Sequence, residues 1–86
     1  MRVPLGQVVA TPGALEAVGH EGCLALLRRH AAGDWGDLGG FDRKQNEQAL
    51  KVEARIFSAY ETAVGRVWVI TEANRSSTSI LLPSEY

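Results

Sequence analysis

The chain has 86 residues, 45% of them apolar and 22% charged, with nine basic against ten acidic side chains and a formal net charge of −1. That length suits one domain with a modest core, and the composition excludes a disordered chain. The charge balance excludes a strong global field toward nucleic acid or anionic lipid, so any nucleic-acid contact needs a local patch.

The single Cys23 permits no internal disulfide, which fits a reducing compartment. Met1 to Gly13 lacks the apolar core of a secretion signal, and no apolar run approaches the ~20 residues of a bilayer span. The expectation is a cytoplasmic domain covering residues 1–86, with no membrane partner.

Val3 to Val9 is a short extended segment that can join one edge of a sheet. Thr11-Pro12 opens a first helix: threonine caps free amides, and proline tolerates the first helical position because its missing N–H would be unpaired there. Gly19 ends it. A second helix spans Glu21 to His30, where Cys23, Leu26, Leu27 and His30 fall at i, i+3, i+4 and i+7 on one stripe. His30 therefore ends the apolar face, either as a packed structural histidine or aimed across the helix–sheet boundary into a site.

Ala32 to Gly40 reads as a loop, with four glycines and with Asp34 and Asp37 suited to bonding their own backbone. Trp35 within it either staples the loop to the core or offers a surface to a partner. Asp42-Arg43-Lys44-Gln45 forms a capping box for a third helix reaching about Val52, whose Arg43, Lys44 and Lys51 make a small basic face.

Three strands follow, Ala54–Tyr60, Arg66–Ala73 and Ser77–Leu82, rich in β-branched and aromatic residues and separated by turns at Glu61–Gly65 and Asn74–Ser76. Alternation puts Ile56, Ser58 and Tyr60 on one face of the first and Arg55, Phe57 and Ala59 on the other. In the second strand Val67, Val69, Thr71 and Ala73 oppose Arg66, Trp68, Ile70 and Glu72, which suits a central strand. Pro83 stops the last strand, ahead of a Ser84-Glu85-Tyr86 tail. The expected fold is α+β: three short helices packed on one face of a three- to four-stranded antiparallel sheet.

Metal and cofactor signals are weak. Two histidines and one cysteine form no zinc spacing, and Asp34, Asp37 and Asp42 lack the calcium-loop pattern. Gly36, Gly39 and Gly40 are not followed by the Lys-Ser/Thr of a phosphate loop. No cofactor is expected. The remaining polar groups suit metal-free handling of phosphate: His30 for proton transfer, Glu72 as base, Arg55 and Arg75 for phosphate oxygens, Thr78 or Tyr60 as donors. RNA cleavage through its own 2′-hydroxyl needs those roles. The alternative is a cross-strand Arg55–Glu72 ion pair beside ordinary strand and turn polar residues.

Val-Val-Ala-Thr-Pro-Gly-Ala-Leu-Glu-Ala at 8–17, Arg-His-x-x-Gly-Asp-Trp-Gly-Asp at 29–37, and Trp-x-Ile-Thr-Glu-Ala-x-Arg-Ser-x-Thr-x-Ile-Leu-Leu-Pro-x-Glu-Tyr at 68–86 carry a resemblance to a family of small bacterial proteins. These occur on plasmids, integrative elements and phage-derived regions and are called plasmid-related proteins, or by proximity a type I restriction methylase subunit. The resemblance implies an accessory role in conflict between mobile elements and hosts. At fold level the chain is also similar to the barnase–EndoU–colicin–RelE group of RNases. That likeness implies a cleft lined by His30, Arg55, Glu72, Arg75 and Thr78, with RNA as partner.

A non-enzymatic inhibitor or adaptor of a host defence complex, of CRISPR or restriction type, is the other expectation. Its surface would be an exposed patch around Trp35 with Asp34 and Asp37, and Tyr60 and Tyr86 are further candidate binding residues. A homodimer through an exposed edge at Ser77–Leu82 is the third.

Overall fold

A computed structural model describes residues 2–86. In chain order it contains β1 (Gln7–Ala10), α1 (Pro12–Ala31), α2 (Gly40–Lys51), β2 (Ile56–Thr62), β3 (Gly65–Thr71), β4 (Ser77–Leu81) and a terminal 3₁₀ turn over Pro83–Glu85. The class is α+β, with the strands ordered β1-β4-β3-β2 in one sheet.

Two features of the expected architecture change. The first two helices join into α1, bent where Gly19 adopts φ 74°. Glycine reaches that left-handed conformation without a Cβ penalty, so the helical path turns there without an intervening loop. The sheet is mixed rather than antiparallel: β2–β3 and β3–β4 are antiparallel, but β1 runs parallel to β4, pairing Gln7 with Ser77 through Ala10 with Ile80. A two-residue alternation is the same in both strand directions, so the sequence pattern carried no sign of it. In consequence β4 lies between β1 and β3, and the expected free edge at Ser77–Leu82 is interior.

Thr11 caps α1 as expected, its side chain accepting from the Ala14 amide. Glu85, from the C-terminal turn, adds to the cap by accepting from the Thr11 hydroxyl and the Gly13 amide. These bonds, the Thr11 one first, hold its carboxyl below the usual range and moor the tail. The start of α2 differs from expectation. Gly39 is its cap residue with no side-chain bond, and Asp42 instead sits in the first turn, where its charge favours the helix N-terminus.

The helices cover one sheet face. Cys23, Leu26 and Leu27 of α1 pack with Tyr60, Val67, Val69 and Ile80, while Val3, Trp35, Ala49 and Ile56 form a second cluster toward α2. The Cys23, Leu26, Leu27, His30 stripe read from the sequence is buried throughout.

The β2 edge is closed by its own chain. The Asn46 side chain accepts from the Phe57 amide and donates to the Phe57 carbonyl, at 3.1 and 2.6 Å. The Ala59 amide donates to Trp35, and its carbonyl accepts from Asp37. Gly36 passes so near that a Cβ there would collide with the Ala59 carbonyl. Asn46→Ala is expected to cost about 1–3 kcal/mol, the range for leaving half-buried polar groups unpaired, as read by a urea melt.

Candidate functional site

The expected site residues fall on opposite sides of the sheet. On the covered side His30 is fully buried against the edge of the Trp35 ring, with centroids 5.9 Å apart. Its Nδ1 lies 2.6 Å from Ser58 Oγ and its Nε2 2.9 Å from Thr71 Oγ1; Thr71 Oγ1 is 2.7 Å from Thr78 Oγ1.

Donor bookkeeping assigns every proton in this row. Thr78 donates to the Leu5 carbonyl at 2.7 Å, so it must accept from Thr71. Thr71, its proton spent, accepts from Nε2–H of His30, and in the neutral imidazole Nδ1 is then bare to accept from Ser58. A neutral imidazole with its proton on Nε2 completes the row. Burial acts in the same sense, pushing the His30 pKa from 6.5 down to about 4. A neutral, sealed histidine with both nitrogens engaged ties α1 to β2, β3 and β4.

Arg55 and Glu72 lie on the other face, continuing the β2–β3 ladder beyond Ile56 and Thr71. The groove expected to unite His30 with them is therefore not formed: the sheet runs between. The guanidinium of Arg55 donates to the Tyr86 hydroxyl at 2.9 Å, lies 5.6 Å from that ring's centroid, and stands 3.8 Å from the Glu72 carboxylate. The bond to Tyr86, more than the carboxylate, holds the Arg55 charge above its usual pKa.

Arg75 is turned inward. Its guanidinium donates to the carbonyls of Ala49, Ala54 and Ala73 at 2.7, 2.6 and 3.0 Å, so it fastens the end of α2 to the β3–β4 turn. Trp35 is 2% exposed with its indole N–H on Glu47, and Tyr60 is buried with its hydroxyl on the Asp34 carbonyl. Burial raises the Tyr60 phenol to about 12. Asp34 pairs with Arg29, which lowers its pKa, and Asp37 accepts from the Glu61 amide. The exposed patch expected around Trp35 is thus a staple.

The open sheet face holds a cleft instead. Arg55, Phe57, Trp68, Ile70 and Tyr86 line a space of about 310 Å³. Phe57 meets Trp68 edge-on at 4.9 Å between centroids, and Trp68 meets Tyr86 in the same way at 5.7 Å. Phe57 and Trp68 were not among the expected site residues. The signal was present in the strand alternation, which sets Arg55 and Phe57 on the face shared by Trp68, Ile70 and Glu72.

Among the described residues no group of three His, Cys, Asp or Glu side chains is arranged to hold a metal ion, and no helix is long and apolar enough to cross a membrane. Fold and cleft together define a small α+β domain with two helices behind a four-stranded mixed sheet and an aromatic groove on its front. Comparison with protein-family models, curated proteins and solved structures finds no match to the chain.

Proposed function

We propose that this protein is a non-enzymatic inhibitor or adaptor that docks on a protein partner through the Phe57–Trp68–Tyr86 cleft, in the mobile-element setting its family resemblance implies. The carrying observation is that cleft: three aromatic rings with an arginine over one of them, on the sheet face that the helices leave open. Tryptophan, tyrosine and arginine are the residues that most often anchor protein interfaces. The cations of this face are already answered, Arg55 by Glu72 and Arg66 by Glu61. A phosphate backbone would find little free charge, whereas an apolar protein surface meets a neutral one. A neutral, fully buried His30 is likewise poorly suited to proton transfer in RNA cleavage.

The test is survival of a plasmid or phage in cells carrying a restriction or CRISPR-type system, with this protein co-expressed. Wild type is expected to protect the incoming element and leave total RNA intact. Trp68→Ala is expected to weaken protection by about 30-fold, the size of a ~2 kcal/mol anchor loss, and Tyr86→Ala to weaken it too. Tyr86 is 69% exposed, so its removal tests docking without emptying the core. Full protection by both variants, or fragmented RNA with wild type, would overturn the reading.

A further inference from the structure

We propose that β1 is a dimerisation edge, along which two copies of this chain pair antiparallel about a two-fold axis at Val9 to form one continuous eight-stranded sheet. The inference is independent of the aromatic cleft and starts from the contrast between the two edges of the sheet.

At the β2 edge the outward backbone is occupied. Phe57 bonds Asn46 through both its amide and its carbonyl, Ala59 bonds Trp35 and Asp37, and the Glu61 amide bonds the Asp37 carboxylate. At the β1 edge Gln7 donates to Ser76 and Thr11 to Ile80, so the odd-numbered residues face β4. Val8 and Ala10 must then turn their amides and carbonyls outward. Among the described residues no group from elsewhere in the chain reaches those four positions. Natural sheets guard such edges with charge, proline or a bulge. The Gln7-Val8-Val9-Ala10 segment is short, at four residues, but carries no charge, proline or bulge, and Val8 and Val9 are 41% and 47% exposed.

A second copy answers this edge by its own geometry. With Val9 opposite Val9 of the second copy, Val8 lies opposite Ala10. The Val8 amide then donates to the Ala10 carbonyl and the Ala10 amide to the Val8 carbonyl, and the two-fold axis repeats both bonds. All outward groups of both copies are satisfied in one register. No charge stands on either strand to repel the other, and the two Val9 side chains meet in the close, non-hydrogen-bonded pair.

The experiment is sedimentation equilibrium of the full chain from micromolar to millimolar concentration, on wild type, Val8→Pro and Val8→Lys. Proline at 8 removes an outward N–H and no bond to β4, and it follows a residue already in a strand, so the fold should survive, as circular dichroism would check. Lysine at 8 keeps the backbone and adds a charge that opposes pairing. Wild type is expected to dimerise with rising concentration, and the folded variants to stay monomeric over the same range. A wild type that is monomeric throughout overturns the proposal. So does a dimer that persists in either folded variant.

Discussion

Between pH 6.5 and about 4 the protein is expected to lose about 3 kcal/mol of stability through His30 alone. The folded state holds this imidazole neutral with a pKa of about 4, against 6.5 for the free side chain. In that window the unfolded chain binds a proton that the folded chain refuses, so stability falls as pH falls. The contribution is complete above pH 6.5 and fully lost below about pH 4. A shift of that size corresponds to about 3 kcal/mol.

That is a large part of the roughly 4–13 kcal/mol available to a domain of this length. Asp34, Glu47 and Glu85 are also held below their usual pKa values by their partners, and their loss adds to the acid limb. Chemical melts of wild type and His30→Gln across this range isolate the histidine, because glutamine does not titrate there. The variant should lose the slope between pH 6.5 and 4 and keep the lower one. An unchanged slope would mean that His30 is not held neutral.

His30→Ala is more severe. It leaves the buried hydroxyls of Ser58 and Thr71 without their partner and opens a void beside Trp35. The expected cost is about 3–5 kcal/mol, as for other buried polar truncations that also leave a cavity. A phenotype lost with this variant reports on folding before it reports on chemistry, so soluble yield has to be measured with it.

Arg75→Ala is expected to destabilise the protein by about 2–3 kcal/mol, with a lower urea midpoint and an unchanged slope. Arg75 is half-buried and sits at φ 61°, the single described non-glycine residue with positive φ. Its turn presents the planar guanidinium to the Ala49, Ala54 and Ala73 carbonyls together. Removing it leaves the C-terminal carbonyls of α2 without their cation, where a helix end favours positive charge. Lysine should recover under half of the loss, since one ammonium lacks the fork that spans several acceptors. Arg75→Ala melting with wild type would mean that these bonds contribute nothing and the guanidinium is free for a ligand.

Much of the local structure was legible in the residues. The spacing of Cys23, Leu26, Leu27 and His30 determined a buried helix stripe and Thr11-Pro12 a helix start, whereas Gly19, read as the end of a separate helix, is a bend within one. The alternation in β2 and β3 separated Ile56, Ser58 and Tyr60 from Arg55 and Phe57, and the structure keeps that separation. The site was less legible. Arg55, Glu72 and Tyr86 do come together, but His30 and Thr78 belong to the interior and Arg75 to a turn. Each of these side chains suits either phosphate chemistry or a structural hydrogen bond, and composition does not distinguish the two.

The sequence by itself therefore determined the periods of the elements, the ends of the last three strands to within two residues and the alternation of faces along them. These follow from local stereochemistry within a few residues. Only the tertiary structure decided which sheet face the helices cover, that β1 runs parallel to β4, and that His30 meets Ser58 and Thr71, 28 and 41 residues away. Strand order and direction are settled by packing between distant segments, and an alternation of two reads the same along either direction of a strand.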